Sequence, residues 1–464
     1  MLLVDGQLVS GEGSVFQRSE SLDSCSPGSY RFASAAQVET VLSSASGYVC
    51  PSVSERKSSL LAIVDSVRKV ESDLVQLLVD EIGKPVRAAK AEVERMAITF
   101  ALAAKELDRW GDVPEDLSYD DRGKGVTAQV RRFPVGPIFA ITPYNWPFNL
   151  AAHKIAPAIA TGSPVILKGS PQSVLCTAAL GPILQASGAV QILACDNELS
   201  EKIARDPRIK MVSFTGSPAV GWYLRSILAR KRVTLELGGD ATAILCPTTD
   251  LVSAVPKLID GAFAYSGQIC ISVQHALIHE SIYEETKRKL IAAVLAIRSG
   301  DPHDPNTLVG PLISTEAAEK VERWIEGMGS EPLVRGTRQG PMLTPSLLEW
   351  KGGLTRVGVP EMMREEAFGP VLIIQPYRRF DEALHWVNGS QYGIQAGVFT
   401  SDEVEVALAF ENLDVCAVVI NHVPTLRFDS LPYGGQKASG VGREGVRYAM
   451  DEMSEPKALV RAQS

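Results

Sequence analysis

The stretch Ile138-Phe139-Ala140-Ile141-Thr142-Pro143-Tyr144-Asn145-Trp146-Pro147 is where the fold becomes readable. An apolar run ends at Thr-Pro, a turn follows, and an apolar helical pattern resumes near Leu150–Ala160. The alternation then repeats. Strands are expected at Ile138–Thr142, Pro164–Lys168, Val190–Leu193, Lys210–Phe214 and Val233–Leu237, with helices near Leu150–Ala160, Gln172–Ala186 and Pro218–Ala229. Strands alternating with helices argue for parallel βαβ units, an α/β architecture suited to a dinucleotide, although the GxGxxG fingerprint is missing.

Upstream, residues 1–34 read as short strands and loops with a Ser-rich surface connection from Ser19 to Ser29. Helical patterns follow at Ala35–Val49, Ser54–Ile82 with room for one break, and Val86–Trp110; Ser54 suits an N-cap. Val126–Phe133 alternates like an exposed strand before the turn Pro134-Val135-Gly136-Pro137. Downstream of Gly238-Gly239 a second α/β region begins. Its strands are expected near Ala241–Leu245, His275–His279, Val371–Pro376, Gly397–Phe399 and Val415–Asn421. Its helices are expected near Leu251–Ser266, Ile282–Ile297, Thr315–Met328, Phe380–Asn388 and Val404–Leu413. Topology alone puts a domain boundary near Gly239, since no shift in composition marks one.

A chain of 464 residues can bury a large core and should divide into domains. Apolar residues at 45% and charged ones at 22%, with mean hydropathy near zero, describe a globular protein. A net charge of −8 gives no electrostatic reason to expect nucleic acid or an anionic membrane as partner. The seven cysteines are scattered without a CxxC pair, which predicts reduced thiols, a cytoplasmic setting and no metal site. The N-terminus reads as neither a signal peptide nor a membrane span.

Three segments carry chemistry: Gly267-Gln268-Ile269-Cys270-Ile271-Ser272, Thr234-Leu235-Glu236-Leu237-Gly238-Gly239, and Thr142-Pro143-Tyr144-Asn145-Trp146-Pro147. They offer a nucleophile, a general base and an amide donor. With Phe214-Thr215-Gly216-Ser217, Lys168, Glu365-Glu366-Ala367-Phe368-Gly369-Pro370 and Pro432-Tyr433-Gly434-Gly435, they stand in an order that resembles the aldehyde dehydrogenase superfamily over essentially the whole chain.

That resemblance implies a Rossmann-like cofactor domain from residues 1–118 and 138–238, and an α/β catalytic domain from 239–436. It also implies a small β oligomerisation element from 119–137 and 437–464, with Glu455–Val460 pairing across subunits with Val126–Phe133 in a homodimer or homotetramer. It implies oxidation of a small-molecule aldehyde by NAD or NADP through a thiohemiacetal and a thioester on Cys270. Asn145 and the Cys270 backbone N–H would form the oxyanion hole, and Glu236 would activate the hydrolytic water. Lys168 would hold the adenine ribose, Gly216 and Ser217 the pyrophosphate at a helix N-terminus, and Glu366 and Phe368 the nicotinamide end. Pro143, Tyr144, Phe214, Gly221 and Leu237 complete the implied cofactor contacts.

Pro171 stands where NAD-selective relatives carry a ribose-binding Glu, so nothing there would repel a 2′-phosphate and NADP is expected to be accepted. Ala194-Cys195-Asp196-Asn197 replaces a turn that usually carries Gly near the adenine. His153 and Arg427 resemble the branch that acts on small hydroxylated or anionic aldehydes. They have structural readings too, His153 as a packed helix residue and Arg427 as the partner of Asp429. Two competing functions stand beside aldehyde oxidation: acyl transfer to coenzyme A, against which Glu236 argues, and a catalytically silent scaffold, which would need none of Cys270, Glu236 and Asn145.

Overall fold

The structure, a computed structural model, describes residues 1–17 and 29–462. Cys25 and the Ser19–Ser29 connection, Ser29 apart, lie outside them. Among the described residues, eight strands form a first sheet. Its parallel body runs Val190–Leu193, Val165–Lys168, Ile138–Ile141, Met211–Thr215, Arg232–Glu236. The hairpin Leu2–Val4 and Gln7–Val9 extends one edge antiparallel, and Gly440–Val441 the other. Strand order reverses between Ile138–Ile141 and Met211–Thr215. In such sheets ligands bind in the crevice beyond the carboxyl ends at this reversal.

Both faces of this sheet are covered. Ile138, Ala140, Val165 and Leu167 pack in one apolar layer with the helices Val53–Lys69, Val86–Glu106 and Pro147–Thr161. Phe139, Ile141, Ile166 and Val212 pack in the other with Ala35–Ser46 and Pro218–Ile227. Burial on two sides is why these strands read as apolar runs and not as alternating patterns.

Two local expectations change. The helix expected from Ser54 starts one residue earlier, at Val53, with Ser52 as N-cap: Ser52 Oγ accepts from Glu55 N at 3.3 Å and Glu55 Oε2 accepts from Ser52 N at 2.8 Å. Glu55 can return that hydrogen bond, whereas Lys57, three residues after Ser54, has nothing to accept with. The break falls at Val70, between Val53–Lys69 and Glu71–Ile82.

The second sheet is parallel throughout, in the order Ser346–Glu349, Val371–Tyr377, His275–His279, Thr242–Leu245, Gln395–Phe399, Ala417–Ile420. Its edge strand Ser346–Glu349 was not expected, because Thr344-Pro345 and only two apolar residues, Leu347 and Leu348, give it little pattern. The helix expected to reach Ser266 ends at Phe263, for reasons that belong to the site.

A third sheet corrects the expected pairing across subunits. Ser454–Ala462 lies antiparallel to Val126–Pro134 of the same chain, in register from Ser454 opposite Pro134 to Ala462 opposite Val126. The short helix Val446–Glu452 delivers the chain end to this position, where Val135 N donates to Met453 O at 3.1 Å and Arg132 Nε to Ser454 Oγ at 2.8 Å. Among the described residues no helix is long and apolar enough to cross a membrane.

Candidate active site

A cavity of about 610 Å³ opens where the first sheet reverses order. Its walls come from the carboxyl ends of three strands: Pro143, Tyr144 and Asn145 after Ile138–Ile141, Thr215, Gly216 and Ser217 after Met211–Thr215, and Glu236 and Leu237 after Arg232–Glu236. Cys270, Tyr433, Glu366, Phe368, Arg95, Arg427 and Glu444 line it as well.

Cys270 is brought there by a strained segment. After Phe263 the chain passes through Tyr265, Ser266 and Gly267 with φ of 52°, 58° and 69°. Non-glycine residues in this region cost on the order of 1–3 kcal/mol each and persist only where the surroundings over-determine them. Here Ser266 Oγ donates to Gly310 O at 2.7 Å, and buried Tyr265 lies under Lys84 Nζ, 4.5 Å from the ring centre. At Gly267 a Cβ would stand 2.1 Å from the carbonyl oxygen of Gly369, so no other residue fits. At Gly239 a Cβ would stand 2.6 Å from Cys270 O, which explains why the strand carrying Glu236 continues into Gly-Gly.

Asn145 clamps the same segment. Its Nδ2 donates to Gln268 O at 2.8 Å, two residues before Cys270, while Gln268 Oε1 accepts from Tyr144 Oη at 3.2 Å and Ile313 N at 2.9 Å. A side-chain amide has two N–H donors, so one remains for a ligand. The turn bearing Asn145 is itself braced by buried Glu92, which accepts from Phe148 N and Asn149 N at the start of Pro147–Thr161 and ion-pairs with Lys84.

The Cys270 thiol is half-buried and free, with Sγ 3.1 Å from Tyr433 Oη. Burial pushes it up to about 11, the Tyr433 hydrogen bond pulls it down, Glu366 raises it and Arg427 lowers it. Glu236 is buried with neither carboxylate oxygen hydrogen-bonded among the described residues. Burial, then the charge of Glu444, push its carboxyl well above the usual range, against Arg427, Lys154 and Arg443. Burial also acts on Glu444, but Lys154, by charge and hydrogen bond, and Arg427 outweigh it and hold that group low and ionised. Lys154 Nζ reaches Glu444 Oε1 at 3.2 Å and Ser213 Oγ at 2.9 Å.

One end of the cavity is cationic. Arg427 Nη2 donates to Glu444 Oε2 at 3.2 Å, its Nε lies 3.5 Å from Asp429 Oδ1, and its guanidinium stacks 3.5 Å over the Tyr433 ring. Arg95 holds Asp429 with two hydrogen bonds, of 3.2 and 2.5 Å. His153 does not line the cavity: its Nε2 donates to Asp429 Oδ1 at 2.9 Å from beneath. Burial first, and then Arg427, lower its pKa and keep it neutral. Arg95, Lys154 and Arg427 therefore face Asp429 and Glu444 at this end.

The opposite end fits a dinucleotide. Gly216 and Ser217 line it at the start of Pro218–Ile227, which Ser217 caps by accepting from Val220 N, and at Gly216 a Cβ would meet the Phe214 ring at 2.5 Å. Phe214 is buried below this turn and Gly221 lies against Leu237, so both support the wall without lining it. Glu366 accepts from Gly239 N at 3.1 Å, and burial raises its carboxyl to about 7. Phe368, at φ 53°, sets its ring edge-on to Tyr144. Lys168 ends its strand away from the main cavity, and burial lowers its pKa. Pro171 and Cys195 line a small separate pocket with Gly169 and Ser170. Asp196, read as a changed turn, caps an unexpected helix, Asn197–Arg205, by accepting from Leu199 N at 2.8 Å.

Arg95, Lys154 and Glu444 were not singled out in the sequence, and Tyr433 stood there only within Pro432-Tyr433-Gly434-Gly435, without a role. Arg95 looks like any polar position of an amphipathic helix. Tyr433 carried a signal, since it adjoins Gly434-Gly435, but its hydroxyl had no visible partner.

The aldehyde dehydrogenase family model matches residues 22–459. The 3-sulfolactaldehyde dehydrogenase of Priestia aryabhattai is 34% identical over 415 residues, covering 88% of this chain and 86% of that protein. Aldehyde dehydrogenase 21 of Physcomitrella patens, solved with the reaction product succinate, superposes with a TM-score of 0.93 at 34% identity over 99% and 98% of the two chains. The glyceraldehyde-3-phosphate dehydrogenase of Methanocaldococcus jannaschii, complexed with NADP, gives 0.87 at 34% over 92% and 94%. The chain belongs to the aldehyde dehydrogenase family and is an NAD(P)-dependent enzyme that oxidises an aldehyde.

Proposed function

We propose that this aldehyde dehydrogenase oxidises a small, negatively charged aldehyde to its carboxylic acid through a covalent bond to Cys270. The Cys270 thiol gives its proton to water, the thiolate attacks the carbonyl carbon, an S–C bond forms, and the carbonyl pair moves to oxygen. The free Asn145 N–H and the Cys270 backbone N–H stabilise that oxyanion; one such donor is worth about 2.7–4 kcal/mol of barrier. NAD or NADP, when bound, accepts the hydride leaving the substrate carbon. The carbonyl then re-forms as a thioester on Cys270. Glu236, once ionised, takes a proton from the attacking water; the C–S bond breaks and the electron pair returns to sulfur. Burial without hydrogen-bond partners makes Glu236 a stronger base than an exposed carboxylate.

The observation that carries this reading is that Cys270, Glu236 and Asn145 line one cavity between a dinucleotide-type helix start and a cationic end. Arg427 and Arg95 receive the substrate's anionic group, and His153 acts through Asp429. The anionic character of sulfolactaldehyde and succinate, met by the relatives, supports the same charge preference. Rates of reduced-cofactor formation over a panel of aldehydes with and without a sulfonate, phosphonate or carboxylate test it. A kcat/KM at least about tenfold higher for anionic aldehydes is expected from one desolvated charge pair, and no activity from Cys270→Ser. Equal efficiency with neutral isosteres rejects the anion, and an active Cys270→Ser rejects the nucleophile.

In this reading residues 1–118 and 138–238 bind the cofactor and 239–436 carry the nucleophile. Residues 119–137 and 437–464 assemble a cytoplasmic homodimer or homotetramer. The exposed outer edge of Ser454–Ala462, paired on one side only, supports that role. A chain ending at Met453 should elute as a smaller species, and elution at native size counts against it.

A further inference from the structure

We propose that Tyr433 is a catalytic residue: its hydroxyl donates a hydrogen bond to the Cys270 sulfur, orienting the thiolate for attack and receiving it again when the thioester breaks. The inference rests on Cys270 being the nucleophile. Among the described residues, Tyr433 Oη is the hydrogen-bond partner of Sγ, at 3.1 Å, and Sγ is the partner of Oη. Among the described residues no other hydrogen bond is made by either group.

The phenol is held rigidly. Tyr433 N donates to Glu444 O at 3.0 Å, its carbonyl accepts from Glu444 N at 2.6 Å, and its ring packs against Ile271 and Ile394 below the Arg427 guanidinium. A phenylalanine would fill the same space, so packing alone does not call for the hydroxyl. Burial raises the phenol's pKa well above its ordinary value, so it keeps its proton and acts as a donor. Beside a neutral thiol the contact is weak. Once the thiol ionises, the sulfur becomes a charged acceptor and the contact strengthens, so the hydroxyl favours the reactive form. During attack the sulfur pair forms the S–C bond and Tyr433 retains its proton. When the C–S bond breaks, the pair returns to sulfur in front of the same O–H, which makes the thiolate a better leaving group. The guanidinium over the ring draws on its electrons and makes the phenol a stronger donor.

Tyr433→Phe keeps the ring, the stacking and the backbone bridge. A hydrogen bond to a charged group is worth about one to two pH units of thiol ionisation. The test is the rate at which iodoacetamide alkylates the Cys270 peptide, followed by mass spectrometry across pH, alongside the pH profile of kcat/KM. Tyr433→Phe should raise the alkylation midpoint by about one to two units and slow alkylation near neutrality by roughly 10–100-fold. The acidic limb of kcat/KM should move the same way while the unfolding temperature stays. Replacing Tyr433 by 3,5-difluorotyrosine, a stronger donor of nearly the same size, should lower the midpoint, and it provides the test should the Phe variant fold poorly. Unchanged midpoints in the variants that fold overturn the proposal. Failure of the underlying reading looks different: alkylating Cys270 in the parent enzyme would then leave dehydrogenase activity intact.

Discussion

Replacing Glu236 by Gln should slow turnover and flatten the pH dependence of stability, effects that a merely structural carboxylate would not combine. The amide keeps the shape of the side chain but cannot take a proton from water. Loss of a general base costs typically 10²–10⁴-fold, equivalent to about 2.7–5.4 kcal/mol of barrier. That cost should fall on thioester hydrolysis alone. Stopped-flow absorbance of reduced nicotinamide should therefore show a first turnover close to the parent rate, then a steady state reduced by the factor above. The stability effect follows from burial. Glu236 is raised above its ordinary 4.5 in the folded protein, so the folded state holds the proton more tightly than the unfolded one. Its contribution to stability is full below the unfolded value and is lost as pH rises through the folded one, at about 1.4 kcal/mol for each unit between them. Glu236→Gln has no proton to lose, so its unfolding midpoint in urea should decline less than the parent's as pH rises from 5 to about 9. A variant that loses burst and steady state by the same factor, or neither, would refute the assignment of Glu236 to hydrolysis.

Asn145→Ala should lower kcat by roughly 10²–10³-fold with little change in KM, as expected for a donor used in the transition state; a change confined to KM would make Asn145 a clamp for the Gln268 segment only. Arg427→Met should raise KM for anionic aldehydes relative to neutral ones. It should also destabilise the fold by about 3–5 kcal/mol, because Glu444 and Asp429 lose a buried partner; an unaltered substrate ratio would confine Arg427 to that structural role. Pro171→Glu should depress kcat/KM with NADP at least about tenfold while sparing NAD, since a carboxylate there repels a 2′-phosphate. Equal losses with both cofactors would remove Pro171 from the ribose site.

The legible part of the candidate site sits where local sequence and chemistry coincide. Glu236 ends an apolar strand before Gly-Gly, Asn145 follows a strand and precedes a helix, and Cys270 follows a glycine that tolerates φ 69°. Each could be found by reading ten residues. Arg95 and Tyr433 could not: Arg95 meets Asp429 across 334 positions and Tyr433 meets Cys270 across 163. Even among noticed residues, the role depended on distance. His153 shares Asp429 with Arg95 and sits under the cavity wall, a position its helix periodicity does not reveal.

The sequence by itself determined the α/β class, most element positions and the order of the chemical motifs, because periodicity and turn chemistry act over a few residues. Tertiary structure decided what no window contains. Ser454–Ala462 joins Val126–Pro134 within one chain because the helix Val446–Glu452 delivers it there, and an exposed alternating strand carries no label for its partner. It likewise decided the protonation of Glu236. A carboxyl's proton affinity is set by the water and charge around it, and those arrive only when distant segments close over the side chain.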